Sequence, residues 1–271
     1  MDKHLLFLDL DGTLLNDRQE ITPGNRRALE QALDRGHGVI IATGRPLTSA
    51  MGQARVLGLD QPGCYLAAYN GGVIYDWSTG QQLCRKALDM ATVQEVFDYV
   101  NQKGLHIQTY DDTDVLVEKR CDNALVRQYC GTGVIGFRVI DDVRTDLPKP
   151  PVKILLIDPD RRVLEELRQE LIPLLAGRAD VFFSNRTYLE IVAAGVNKGE
   201  AVKALSALLD VPLKNTIAAG DEANDLSMIR SAGLGVAMAN GIDEVKAAAG
   251  YITRQDNNQD GIAEIVELFL K

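Results

Sequence analysis

The sequence predicts an α/β protein in which a parallel β-sheet carries helices on both faces and is interrupted by an inserted α+β module. Short, continuously apolar runs alternate with helical patterns in the first part of the chain, and this alternation returns near its end. Strands that are apolar on both faces are typical of parallel sheets covered by helices. Between these parts the strand-like segments are more mixed, which indicates a module of a different kind.

The first elements of the chain establish the alternation. Leu5–Leu8 is apolar throughout and predicts a buried strand. Thr22 and Pro23 supply an N-cap and a first-turn proline for a helix that Gly36 closes. Val39–Ala42 then predicts a second buried strand.

The last part of the chain repeats this pattern. A helix is predicted after Lys198, another passes through Leu226 and Ile229, and a final helix begins near Ile262. The predicted strands of this part are Thr216–Ala219, Leu234–Ala237 and Tyr251–Thr253. They would extend the same parallel sheet.

The middle of the chain predicts the inserted module. Helical patterns occupy Val93–Val100 and Val163–Leu175. The predicted strands are His106–Tyr110, Asp114–Glu118, Phe137–Ile140 and Val152–Ile157. We therefore expect a core domain in two parts, residues 1–84 and 188–271, around a module of residues 85–187.

Charge and composition exclude several functions. A net charge of −9 disfavours a nucleic-acid partner, because phosphate backbones are bound by clustered Lys and Arg. No apolar run approaches the ~20 residues of a membrane helix, and the charged start of the chain contains no secretory signal. The four cysteines form no C-x-x-C pair, which favours free thiols and a cytoplasmic protein. No apolar surface stripe stands out, so we expect a monomer or a weak homodimer.

An acidic pair follows the first predicted strand. Asp9 and Asp11 lie two positions apart, and Gly12 allows the backbone to turn there. Carboxylate pairs of this kind suit a hard divalent cation. An acidic turn without function is the alternative for this motif taken alone.

Two further motifs suggest an anion site. Thr43 and Gly44 follow the second strand and combine a hydroxyl with backbone N–H groups that a ligand can approach closely. Lys198 lies at the start of a helix, where it opposes the helix dipole unless an anion is near. An ordinary turn and a solvated surface lysine are the alternatives.

The fourth motif is a cluster of acids after the strand Thr216–Ala219. Helix capping explains one acid at such a position, but not Asp221, Glu222 and Asp225 together. Carboxyl ends of parallel strands meet at one edge of a sheet, so all four motifs are expected to converge there. Oxygen ligands with one lysine and one hydroxyl fit Mg²⁺ and a phosphoryl group.

In this order and spacing, D-L-D-G-T, T-G-R, N-K-G and G-D-x-x-N-D resemble the four motifs of the haloacid-dehalogenase-like phosphatase superfamily. The inserted module resembles the class IIB cap of its Cof-type branch. Residues 60–71 are similar to those of YidA-type sugar phosphatases. The resemblance implies a Rossmann-like α/β core with an inserted cap, Mg²⁺ as cofactor, and small phosphorylated metabolites as substrates.

The resemblance also implies catalytic roles. Asp9 is expected to be the nucleophile and a metal ligand, and Asp11 the general acid and base, with its carbonyl on the metal. Asp221 would complete the metal site, and Asp225 would support it. Lys198 would neutralise the charge of the phosphoryl group.

Binding roles follow from the same resemblance. Thr43, the Gly44 amide, the Leu10 amide and Asn224 are expected to hold the phosphoryl group. Arg45 and Asn70 would contact the rest of the substrate.

Two alternatives remain open at this point. A phosphohexose mutase shares the D-x-D motif and a related cap, but returns phosphate to the sugar. A non-catalytic, receiver-like or phosphate-binding protein also contains acids, a Thr and a Lys, although receivers are much shorter.

Overall fold

The structure, a computed structural model, describes residues 2–131 and 135–270. Its strands are β1 (Leu5–Leu8), β2 (Gly38–Ala42), β3 (Cys64–Ala68), β4 (Val73–Asp76), β5 (Gln81–Arg85), β6 (His106–Tyr110), β7 (Asp114–Glu118), β8 (Gly136–Ile140), β9 (Lys153–Ile157), β10 (Ala179–Asn185), β11 (Tyr188–Ala193), β12 (Thr216–Gly220), β13 (Leu234–Ala237) and β14 (Tyr251–Ile252). Its helices are α1 (Pro23–Asp34), α2 (Leu47–Leu57), α3 (Met90–Gln102), α4 (Ala124–Gly131), α5 (Val143–Asp146), α6 (Arg161–Leu174), α7 (Lys198–Leu208), α8 (Leu226–Ser231), α9 (Asp243–Ala248) and α10 (Gly261–Phe269).

The chain divides into two compact units. The first comprises the described residues up to Arg45, then Gln53–Cys84, and those from Asn197 onward. The second comprises Pro46–Gly52 and Arg85–Val196. The sequence places the second boundary at residue 187, but β11 pairs with β10 and β9, so the second unit extends nine residues further, to Val196. Strand β11 is apolar except for Tyr188 and Glu190, so its sequence resembles that of a core strand and does not reveal its sheet.

The first unit contains an eight-stranded sheet in the order β14-β13-β12-β1-β2-β3-β4-β5. The six strands from β14 to β3 are parallel. This confirms the predicted parallel sheet and adds β3, for which the sequence analysis predicts no strand. Strand β4 runs antiparallel to β3, so the sheet is mixed at that end. The short connection between β3 and β4 explains this direction, because a parallel crossover needs a dozen or more residues.

Burial in the first unit matches the predicted two-sided covering. All residues of β1, β2, β3 and β12 are buried. Phe7 and Ile40 pack in one cluster with Leu205 of α7 and Met228 of α8. The predicted N-cap of α1 is confirmed, since the Thr22 side chain accepts a hydrogen bond from the third helical residue.

The second unit contains a six-stranded sheet in the order β10-β11-β9-β6-β7-β8. Its pairings are antiparallel except for the parallel pair β7 and β8. Helix α6 buries Leu164, Leu167 and Leu171, which recur at helical spacing on one face. The predicted α+β character of the inserted module is therefore present.

Two expectations from composition are addressed by the structure. Cys64, Cys84, Cys121 and Cys130 are all free thiols. Across residues 2–131 and 135–270, no helix combines the length and the apolar character that crossing a bilayer requires.

Candidate active site

The site lies at the carboxyl ends of three neighbouring parallel strands of the first unit. Strands β12, β1 and β2 are adjacent in the sheet. Each is followed directly by a predicted site residue: Asp221, Asp9 and Thr43 respectively. All three residues are buried. The predicted convergence of these motifs on one sheet edge is therefore observed.

Lys198 joins this edge from the start of α7. The Asn197 side chain caps that helix, so the backbone turns sharply and the first helical residue faces inward. Lys198 is fully buried, and its Nζ donates to Asp9 Oδ1 at 2.5 Å and to Asp225 Oδ1 at 2.6 Å. Burial disfavours the ammonium, but the charges of Asp225 and Asp9 outweigh that effect and raise the pKa of Lys198 above its usual value.

Asp225 is held by donors on both carboxylate oxygens. Its Oδ1 accepts from Lys198, while its Oδ2 accepts from the backbone N–H groups of Asp221 at 2.9 Å and Glu222 at 3.1 Å. Gly220 makes room for this carboxylate, because a Cβ there would lie 2.4 Å from the Asp225 Cβ. Asp225 therefore links the lysine to the turn that carries Asp221.

Three carboxylates share this buried cluster. One oxygen each from Asp9, Asp221 and Asp225 lie within 4.8 Å of one another. Burial raises the pKa of Asp9 to about 8, against the lowering effect of Lys198. Burial likewise raises the pKa of Asp221 to about 6. The raised pKa values show that negative charge is in excess at this site. With all three carboxylates ionised, the single positive charge of Lys198 leaves the cluster two positive charges short of neutrality.

This donor set fits a divalent cation. Buried carboxylate oxygens are the ligands that Mg²⁺ prefers, and a charge of two would complete the balance. Within residues 2–131 and 135–270, the Asp225 carboxylate accepts three hydrogen bonds over its two oxygens, whereas the carboxylates of Asp9 and Asp221 accept one each. Asp9 and Asp221 are therefore better suited than Asp225 to hold the ion.

The loop after β1 contacts Asp221 at two points. Thr13 Oγ1 donates to Asp221 Oδ1 at 2.7 Å. Gly12 has φ +76°, and a Cβ at this position would lie 2.2 Å from Asp221 Oδ2. The carbonyl of Gly12 accepts from Asn240 Nδ2 at 2.7 Å. Gly12 is thus required both by its backbone conformation and by the closeness of Asp221.

Asp11 and Arg45 form a forked ion pair. Arg45 Nη2 lies 2.6 Å from Asp11 Oδ1, and its Nε lies 3.2 Å from Oδ2. The same Nη2 also donates to Gln19 Oε1 at 3.1 Å. The Asp11 side chain is about half exposed, at 54%. Its carboxylate is therefore held outside the buried cluster, next to the solvent.

The Thr43–Arg45 turn packs against Asn70. The Asn70 backbone N–H donates to the Thr43 carbonyl at 2.9 Å, and a Cβ on Gly44 would lie 3.2 Å from Asn70 Oδ1. Tyr69 and Asn70 both have left-handed backbones, with φ of 51° and 57°. Left-handed backbone conformations are strained for residues other than glycine, and such strain is characteristic of functional sites.

The remaining predicted residues flank the cluster. Leu10 is buried between Asp9 and Asp11, and Asn224 lies in the short 3₁₀ turn Ala223–Asp225. The sequence assigned no role to Thr13, Gln19 or Asn240. Thr13 stands within the D-L-D-G-T motif, and this was a sequence signal that could have pointed to it. Gln19 and Asn240 stand in no motif, so no sequence pattern marks them.

Comparisons with known proteins agree with this geometry. The family model for haloacid dehalogenase-like hydrolases matches residues 6–266. The chain is 33% identical over 266 residues to 5-amino-6-(5-phospho-D-ribitylamino)uracil phosphatase YcsE of Bacillus subtilis, covering 98% of this chain and 95% of the relative.

Solved structures give the same result. A haloacid dehalogenase-like hydrolase from Bacteroides thetaiotaomicron superposes with a TM-score of 0.88 at 33% identity, over 98% of this chain and 99% of the other. The fold is shared with BT4131, described as a HAD subclass IIB sugar phosphatase, with a TM-score of 0.80 at 22% identity over 98% and 99% of the two chains. The chain belongs to the haloacid dehalogenase-like hydrolase family and is a phosphoric monoester hydrolase.

Proposed function

We propose that this phosphatase hydrolyses small phosphorylated metabolites, with sugar phosphates as the substrate class, through a phosphoryl group carried on Asp9 and with Mg²⁺ as cofactor. The observation that carries the proposal is the buried ion pair between Lys198 Nζ and Asp9 Oδ1, 2.5 Å apart beside Asp221 and Asp225. Burying an ammonium this deeply carries a large desolvation penalty. Its position against Asp9 therefore supports a role for its charge in catalysis.

Asp9, Asp221 and the Asp11 carbonyl would hold Mg²⁺. When bound, the ion supplies positive charge that offsets the repulsion between the phosphate dianion and an anionic nucleophile. The deficit of two positive charges in the cluster supports this assignment. Asp225, with both oxygens accepting hydrogen bonds, acts as the support for Lys198 and for the turn carrying Asp221.

Asp9 acts as the nucleophile. Lys198 holds one of its oxygens, so the other can form a bond to phosphorus while the ester P–O bond breaks. The oxygen of the departing alcohol takes a proton from the Asp11 carboxyl. Water then attacks the phosphorus, gives its proton to Asp11, and releases inorganic phosphate and the Asp9 carboxylate.

The phosphoryl group is held by the turns around Asp9. Thr43 is buried at the end of β2. Gly44 comes next and has no side chain that would keep a phosphoryl group away from its amide. The Leu10 amide and the Asn224 side chain complete the contacts. Donors placed where negative charge develops are typically the largest contribution to catalysis of this kind.

A relative of this chain supports the substrate class. The relative that is 33% identical is named for 5-amino-6-(5-phospho-D-ribitylamino)uracil, a compound whose phosphate is on a ribityl group. Arg45 and Asn70 are proposed to contact the non-phosphate part of the substrate. The second unit, residues 85–196 with 46–52, is proposed to act as the cap that selects it.

The test is release of inorganic phosphate from a panel of small phosphate esters that includes hexose and pentitol phosphates. Wild type and Asp9→Asn are compared with Mg²⁺ and with a chelator. We expect release that requires Mg²⁺ and is lost in Asp9→Asn, with the sugar phosphates ranked first. Full activity in the chelator, or in Asp9→Asn, would contradict the proposed chemistry.

A further inference from the structure

Thr13 makes a contact that the catalytic scheme leaves unexplained. Its side chain is fully buried, and its Oγ1 donates to Asp221 Oδ1 at 2.7 Å across 208 sequence positions. An ionised carboxylate is an acceptor only, so the hydroxyl must be the donor. This hydrogen bond joins the D-L-D-G-T motif directly to the G-D-x-x-N-D motif.

The contact determines how the Asp221 carboxylate is turned. The terminal torsion of an aspartate is broad and has no strong preference of its own. Oδ1 is fixed by the Thr13 hydroxyl, and Oδ2 lies over Gly12, where no side chain intervenes. Rotating the carboxylate would break the hydrogen bond.

The position of Thr13 is itself anchored. Asn240 Nδ2 donates to the carbonyl of Gly12 at 2.7 Å, which fixes the peptide that precedes Thr13. The Asn240 Oδ1 in turn accepts from the backbone N–H of Asn257 at 3.3 Å. The hydroxyl is therefore presented to Asp221 from a fixed backbone.

We propose that Thr13 is a positioning residue for the metal: its hydroxyl holds Asp221 in the orientation that a divalent cation requires. The proposal rests on the proposed role of Asp221 as a metal ligand. Groups that hydrogen-bond to metal ligands typically contribute about 10–100-fold to metal affinity. A buried hydroxyl that merely satisfied its own hydrogen bond would leave metal affinity unchanged.

The experiment measures Mg²⁺ binding by calorimetry without substrate, in wild type, Thr13→Val and Thr13→Ser. Valine keeps the shape and loses the hydroxyl, whereas serine keeps the hydroxyl. We expect Thr13→Val to weaken Mg²⁺ binding by about tenfold or more, and Thr13→Ser to restore most of the affinity. Thr109→Val is the matched control, because Thr109 is equally buried in the second unit and donates to the Lys153 carbonyl at 2.8 Å.

Equal affinity of folded Thr13→Val and wild type would overturn the proposal, as would Thr13→Ser binding as weakly as Thr13→Val. Should the valine variant not fold, Thr13→Ala and Thr13→Ser give the same comparison, since they differ by one hydroxyl. Phosphate release by wild type is measured on the same samples. An active wild type with unchanged Thr13→Val affinity refutes only this inference, while an inactive wild type that binds no Mg²⁺ refutes the proposed function as well.

Discussion

Lys198 Nζ lies 2.5 Å from Asp9 Oδ1, although the two residues are 189 positions apart in the chain. The pair joins the first residue of α7 to the end of β1, and the same Nζ also donates to Asp225 Oδ1 at 2.6 Å. The cation is thus fixed before any substrate arrives. Fixed charges of this kind require no reorganisation during the reaction.

Replacing Lys198 by Met should abolish this arrangement. The change leaves Asp9 and Asp225 buried without their cation, so we expect a loss of about 3–5 kcal/mol in the free energy of unfolding. Phosphatase kcat/KM should fall by about 10²–10³-fold. Urea denaturation and steady-state kinetics measure the two effects.

Lys203→Met on the same helix is the control. Lys203 forms a surface pair with Glu200 at 2.8 Å and is about half exposed. Surface pairs contribute about 0–1 kcal/mol, so this variant should resemble wild type in both assays. Comparable losses in the two variants would argue against a special role for Lys198.

Replacing Gly12 by Ala should damage the site through a specific clash. The new Cβ would lie 2.2 Å from Asp221 Oδ2, at a backbone φ of +76°. We expect metal affinity to fall by about 10–100-fold, because a metal ligand is displaced. Titration with Mg²⁺ measures this directly.

Gly36→Ala separates the clash from backbone strain. Gly36 has φ +84° and no heavy atom within 4 Å of the added Cβ. Its variant should lose only about 1–2 kcal/mol of stability from the left-handed backbone and keep wild-type Mg²⁺ affinity. If Gly12→Ala behaved in the same way, crowding at Asp221 would not be the cause.

Replacing Arg45 by Lys should lower kcat/KM most for esters whose leaving group must be protonated. Lysine cannot form the two-pronged contact with the Asp11 carboxylate. We expect kcat/KM for an alkyl phosphate, whose alcohol needs a proton to leave, to fall by about tenfold or more. The value for nitrophenyl phosphate, whose leaving group needs no proton, should change much less. Equal losses with both esters would show that Arg45 acts on the substrate and not through Asp11.

Acid should destabilise the fold through His37. Burial lowers the pKa of His37 below the usual 6.5 of histidine, and its Nδ1 accepts a hydrogen bond from the His4 backbone N–H. The neutral ring is therefore favoured in the folded protein, and its stabilisation is complete above pH 6.5. It is lost as the pH falls from 6.5 through the lower pKa of the folded state, because the unfolded chain binds the proton first.

Urea unfolding of wild type and His37→Asn across pH 5–8 tests this. Asparagine can still accept the hydrogen bond from His4 but does not titrate in this range. The variant should show a shallower loss of stability below pH 6.5. Parallel curves would assign the acid sensitivity to other groups.

The sequence predicts the strand ends well because each motif places polar residues directly after an apolar run. Asp9, Thr43 and Asp221 were located in this way, and the sheet order β12-β1-β2 brings them together. The difference between the predicted boundary at residue 187 and the end of the second unit at Val196 has an equally simple cause. Strand β11 resembles a core strand except for Glu190, and its pairing with β9 and β10 assigns it to the second sheet.

Long-range hydrogen bonds were beyond prediction. The contacts of Asn240 with Gly12 and of Gln19 with Arg45 depend on how distant loops meet, and neither residue stands in a recognisable pattern. Arg45 was expected to contact substrate, whereas the structure pairs it with Asp11 inside the first unit. Its role toward substrate stays a prediction.

The central claim is that Asp9 carries the phosphoryl group, and the most direct measurement is acid quenching followed by mass spectrometry. Asp11→Asn is mixed with nitrophenyl phosphate and Mg²⁺, since this ester needs no acid to react while hydrolysis of the intermediate needs the missing base. We predict a hydroxylamine-sensitive phosphoryl adduct on the peptide containing Asp9, absent when Asp9→Asn is added to the variant. Steady release of phosphate with no adduct on Asp9, or an adduct on another residue, would contradict the account.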